Sequence, residues 1–154
     1  MTRSHLAQVN IARLAAPLDS PQLADFVANL QPINAIADAS PGFVWRLQTE
    51  EGDATSLRFS DDEWLIVNMS VWESIDALRD YVYRSGHAGV LRRRQEWFER
   101  MRDAFVALWW IEAGTIPTID DARERLAALR ADGPTPFAFT LKQPFPVSRP
   151  APAT

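Results

Sequence analysis

The 154-residue chain has no cysteine. That excludes disulfide frameworks, zinc–thiolate clusters, iron–sulfur centres and a cysteine nucleophile. It has only two histidines, His5 and His87, so a metal site made by the protein alone would draw on carboxylates, and none is expected. Glycine is scarce, at six residues, and there is no GxGxxG or P-loop, no GxSxG elbow, no HExxH helix and no EF-hand loop. Nucleotide, α/β-hydrolase and zincin chemistries therefore lose support. No apolar run approaches the roughly 20 residues of a membrane-spanning helix, and the opening MTRSHLAQVN lacks the apolar core of a secretory signal. A cytoplasmic protein with no membrane partner is the expectation. Basic charge is in deficit, with 16 Lys and Arg against 20 Asp and Glu. That balance argues against nucleic acid as a partner, and the run Arg92-Arg93-Arg94 is too short to reverse it. The acidic stretch Ser60-Asp61-Asp62-Glu63 reads as a solvated turn, with a hard cation as the alternative.

What is present suits one soluble domain: 47% hydrophobic residues, 23% charged residues and six tryptophans. The domain is expected over residues 1–143. A proline-rich tail, PFPVSRPAPAT, follows over 144–154 as an extended arm or a disordered end. His5 to Arg13 alternates as a strand, with Leu6, Gln8 and Asn10 on one face and Ala7, Val9 and Ile11 on the other. Ser20-Pro21 opens a helix, with the serine as cap, carrying Leu23, Phe26, Val27, Leu30 and Ile33. Pro32 is expected to kink it or split it in two, and Pro41-Gly42 ends it. Strands are expected over Phe43–Gln48, Trp64–Trp72 and Ala104–Ala113, with a final one over Phe137–Lys142. Ser74 starts a helix bearing Ile75, Leu78, Tyr81 and Val82, and after Gly86 another runs to about Met101. Thr118 and Asp121 form a capping box for a last helix with Ala122, Leu126 and Leu129, which Gly133 stops.

This order is an α+β class chain, the split βαβ pattern of ferredoxin-like folds with one extra helix and strand. It implies an antiparallel sheet with helices on one face. A second copy of the chain is the expected cover for the other face, giving a dimeric α+β barrel, because tryptophan-rich sheet surface is unlikely to stay wet.

Candidate site residues follow from polar groups placed where apolar ones are expected. In HAGVLRRRQEWFERM, Val90, Leu91, Trp97, Phe98 and Met101 form an apolar stripe at helical spacing, with Arg94 near its centre and His87 two turns earlier. Arg94 either meets an anionic or carbonyl-bearing ligand, or snorkels along an aromatic ring or pairs with a carboxylate. His87 either faces the same pocket or satisfies a backbone carbonyl. On the strands, Gln8 and Asn10, and Asn68, Ser70 and Trp72, put polar groups on faces that read as buried. They could line a cavity inside an aromatic box of Trp45, Trp109 or Trp110, joined by Trp64 and Trp97. Alternatively, Asn68 serves a bulge and the tryptophans are core or dimer interface. Arg46 reaches a ligand or pairs with an acid such as Glu112.

The stretches HLAQVNIARL, NAIADASPGFVWRLQ, IVNMSVWESIDALRDYVY and HAGVLRRRQEWF resemble those of a bacterial domain-of-unknown-function family. That family is placed in the dimeric α+β barrel superfamily with the antibiotic-biosynthesis monooxygenases. The resemblance spans about residues 5 to 142, with MSVWES and RRQEWF its most specific pieces. It implies a ferredoxin-like protomer whose sheet packs on a partner's sheet. The superfamily includes cofactor-independent monooxygenases, polyketide cyclases, isomerases, heme-handling branches and stress-induced proteins, and fold alone does not choose among them. Asn10, Asn68, Trp72 and His87 are the positions to compare with a quinol-oxidising pocket, although they match no defined motif residue by residue. The expected enzyme is a homodimeric oxygenase, isomerase or cyclase acting without a cofactor on an aromatic or polyketide-like molecule. In it His87 is the acid or base, and Arg94 and Asn68 stabilise an enolate or phenolate oxygen. The alternatives are a noncatalytic binder of a hydrophobic acid or of heme, with His87 as axial ligand, and a stress-related structural dimer.

Overall fold

The computed structural model describes residues 3–17, 19–48, 59–60, 62, 64–84, 93–100 and 103–147. Its centre is strand β1 (Ser4–Arg13), flanked by β3 (Leu65–Trp72) and β4 (Val106–Glu112), with β2 (Phe43–Arg46) outside β3. All pairings are antiparallel and the order is β2-β3-β1-β4, the ferredoxin-like arrangement. β1 takes the middle because both of its faces are covered: Leu6 and Gln8 on one side and Ala7, Val9 and Ile11 on the other are all buried.

Helix α1 (Ala24–Ala39) follows a single 3-10 turn over Pro21–Leu23 and runs unbroken through Pro32. It is not split, because Pro32 and Ala28, the residue whose carbonyl loses its partner, are both exposed and water can take the freed oxygen. Nor does Ser20 cap it; the serine hydroxyl donates to the Pro17 carbonyl instead. Gly42 turns the chain into β2 with φ +83°, and a Cβ there would lie 2.5 Å from Ala77 Cβ, so the glycine lets this corner press against α2 (Ile75–Arg84). β2 is shorter than expected and shifts register between Phe43 and Trp45.

The helix expected to reach Met101 ends earlier, as α3 (Arg94–Trp97). Phe98 pairs with Leu14 instead, and the Ala15 and Glu99 amides donate to the Trp97 and Arg13 carbonyls. The end of β1 thus claims backbone groups that a longer helix would need. Helix α4 (Ile119–Asp132) carries the expected capping box and stops at Gly133. The final strand is reduced to one residue: Phe139 exchanges both backbone hydrogen bonds with Leu108. A turn held by Thr135, whose hydroxyl takes the Phe137 and Ala138 amides, keeps the preceding residues from extending.

Strand alternation divides the core. Leu6, Trp72 and Leu108 face α1 and α2 and bury Ala37 and Leu78. Ala7, Val9, Ile11, Met69, Val71 and Trp109 face the other way, where Ala122, Leu126 and Leu129 of α4 cover them. The ferredoxin-type pair α1 and α2 shares one face as expected. The added helix α4 lies on the opposite face, taking part of the cover assigned to a second copy. Among the described residues no helix is long and apolar enough to cross a membrane.

Candidate binding pocket

Between the sheet and helices α1 and α2 lies a cavity of about 590 Å³. Its floor holds the polar side chains of Gln8, Asn10 and Asn68. They meet because alternation puts Gln8 and Asn10 on one face of β1, and the register sets Asn10 opposite Asn68 and Gln8 opposite Ser70. The Gln8 amide nitrogen donates to Asn68 Oδ1 at 3.0 Å and to Ser70 Oγ at 2.9 Å. Behind them the Trp72 indole donates to the same Ser70 Oγ at 2.8 Å. Helix α1 adds two more carboxamides, Asn29 and Asn34, among Phe26, Leu30 and Ile33. Asn29 is committed in part, donating to the Asp25 carbonyl at 2.7 Å.

The remaining wall is apolar or aromatic, including Tyr81, Phe98 and Phe105. Tyr81 stacks on Trp72 with ring centroids 5.0 Å apart. Burial, partly opposed by the Arg46 charge and reinforced by Asp38, pushes its phenol up to about 12, so it keeps its proton at neutral pH. Lys142, at the exposed rim, is the one charged side chain among the described lining residues. Such a chamber can hold a flat apolar body by contact and address its oxygens through neutral amides.

Residues 5–153 match a family described as a domain of unknown function, DUF3291. The chain belongs to that family. No curated protein matches it. Solved structures similar to it include SnoaB, a cofactor-independent oxygenase from Streptomyces nogalater, at 19% identity over 74% of this chain and 98% of that one, with a TM-score of 0.48. Rv0793 from Mycobacterium tuberculosis is 17% identical over 74% and 99% of the two chains, with a TM-score of 0.47. A protein of unknown function from Nitrosomonas europaea is 14% identical over 75% and 96%, with a TM-score of 0.45.

In this DUF3291 member the structure brings Gln8, Asn10 and Asn68 together at the cavity. It does not build the expected box of tryptophans. Trp45 and Trp109 lie on the α4 side of the sheet, since they share a face with Ala7 and Val71. Trp72 and Trp110 are on the cavity side but pack into the core around Leu6 and Phe139, and the Trp110 indole is taken by the Phe145 carbonyl at 2.8 Å. Trp97 is buried with Leu14, Leu23 and Phe26, under the Arg93 guanidinium 4.8 Å from its ring. Trp64 sits outside, partly covered by Arg13. The aromatic lining comes instead from Phe26, Tyr81, Phe98 and Phe105.

His87 lies outside the described residues, and so does the Arg94 side chain, although its backbone begins α3. Arg46 does not reach Glu112; it pairs with Asp38 from the end of α1 at 2.8 Å. Asp62 of the acidic stretch accepts from the Trp64 amide and from Arg13, both at 2.9 Å, which accounts for it as a turn and ion-pair residue. Arg93 of the basic run is held by Asp25 and Glu96, each at 2.8 Å. Among the described residues no group of three or more His, Asp or Glu could hold a metal ion. Sequence reasoning missed Asn29 and Asn34, though a signal existed: they interrupt the surroundings of the apolar stripe Phe26–Leu30–Ile33. Lys142 gave no signal, because its place at the rim depends on how the last segment crosses β4.

Proposed function

We propose that this protein is a small-molecule enzyme of the antibiotic-biosynthesis-monooxygenase-like type, an oxygenase, isomerase or cyclase working without a cofactor. Its ligand in this reading is an aromatic or polyketide-like ketone or phenol held between the sheet and α1 and α2, and its working unit is a homodimer. The observation that carries the reading is the cavity itself, apolar and aromatic in its walls and floored by carboxamides. A carboxamide is neutral throughout the physiological pH range, so its N–H can stabilise charge building on an enolate or phenolate oxygen without titrating. His87 is the acid or base of this reading.

The test uses dithranol, a tricyclic phenolic ketone, with equilibrium dialysis for binding and absorbance with oxygen uptake for turnover. Binding is expected in the wild type, with turnover lowered about 100-fold by Asn68→Ala, the size of losing one oxyanion donor. Absence of both binding and turnover would overturn the reading. A second reading, a noncatalytic binding module, is favoured by one observation: no carboxylate or histidine is among the described lining residues. Tight binding with no change in the bound molecule would select it.

A further inference from the structure

The hydrogen bonds beneath the pocket floor have a direction. The indole N–H of the buried Trp72 donates to Ser70 Oγ, and the second lone pair of that hydroxyl accepts from Gln8. The Gln8 amide nitrogen lies within hydrogen-bond distance of both Ser70 Oγ and Asn68 Oδ1, and its two protons are spent on them. Gln8 and Ser70 are themselves buried, at 8% and 7% exposure, so water does not compete freely for these groups. Asn68 is exposed to the cavity; its Oδ1 keeps one lone pair after accepting from Gln8, whereas both protons of its N–H2 group are uncommitted among the described residues.

We propose that Ser70 and Gln8 are positioning residues that hold Asn68 as a hydrogen-bond donor toward the cavity, so that the pocket selects ligands presenting an acceptor oxygen there. The inference rests on the pocket reading above and narrows it. A ketone, quinone or phenolate-type oxygen fits the site, and a group that can only donate does not. Leaving the Asn68 donor without an acceptor when such a ligand enters removes the hydrogen bonds it made to water and returns none.

Three bicyclic probes of similar shape separate the cases: indane, with no polar atom; 1-indanone, which only accepts; and indole, which donates through its N–H. Equilibrium dialysis against the full chain should show 1-indanone binding about fivefold more tightly than indane, a factor set by one net hydrogen bond. Indole should gain nothing over indane. Ser70→Ala should bring the indanone-to-indane ratio close to one, and Ser70→Thr, which restores the hydroxyl, should recover it.

Gln8→Glu provides a variant with an opposite expectation. At mildly alkaline pH its carboxylate can only accept, so Asn68 must turn its N–H2 inward and show Oδ1 to the cavity. Indole should then bind more tightly than indanone. A wild type that prefers indole, or treats indane and indanone alike, overturns the donor assignment while leaving the pocket reading intact. Ratios unmoved by Ser70→Ala and Gln8→Glu overturn the roles of these two residues. If none of the three probes binds, the pocket reading itself fails, and this inference with it.

Discussion

Tyr81 links the core to the cavity wall. Its ring stacks on Trp72 and its surroundings push the phenol up to about 12, with burial as the first cause. The folded value lies above the ordinary 10, so the fold favours the neutral phenol. That share of stability is fully present below pH 10 and is lost as the pH rises from 10 through about 12. Tyr81→Phe cannot titrate, so urea melts across the alkaline range should show a smaller loss of stability than in the wild type. Equal losses would mean that the phenol is not held neutral by the fold. The residues that were legible from sequence were those that break a pattern: Gln8, Asn10 and Asn68 are polar on faces otherwise apolar. The tryptophans misled for a reason strand geometry supplies. Trp109 and Trp110 are consecutive, so they face opposite sides of the sheet and cannot share one pocket. Arg46 pairs with an acid, as one of its two readings has it, but the acid is Asp38 from a helix end, a position that no spacing rule joins to a strand.

Elements whose limits are set by local chemistry were readable, and α4 is the clearest. The Thr118 hydroxyl accepts from the Asp121 amide at 3.1 Å and the Asp121 carboxylate accepts from the Thr118 amide at 2.9 Å. Behind that cap, Ala122, Leu126 and Leu129 seal the sheet face that carries Val9 and Trp109. Thr118→Ala should lower unfolding free energy by about 1 kcal/mol, and Thr118→Ser should restore most of it. Because α4 covers the face away from the cavity, probe binding in the folded variant should be unchanged. A loss of binding without a loss of stability would contradict that separation. The elements that escaped the sequence are those limited by distant backbone. α3 ends where Phe98 pairs with Leu14, and the last strand shrinks to the Phe139–Leu108 bridge. Neither partner lies within the window from which a periodicity is read.

At the scale of the whole molecule, the strand order followed from the succession of elements, but the side taken by α4 did not. Its buried stripe is small and apolar and would suit either face of the sheet. Its position changes the argument for a second copy. α4 lies over β4 and β1, and on the same face the half-buried Trp45 and Leu65 sit toward β2 and β3, away from it. Val44, on the outer strand β2, is also exposed. The homodimer proposed above would find its apolar surface on that side, where each chain offers the same strip to the other. Native mass spectrometry at micromolar concentration should therefore find twice the chain mass, and Val44→Asp should shift the population toward the single chain without lowering its melting temperature by much. A wild type that stays a single chain at all concentrations would remove the homodimer. It would not disturb the cavity, whose described lining comes entirely from one chain.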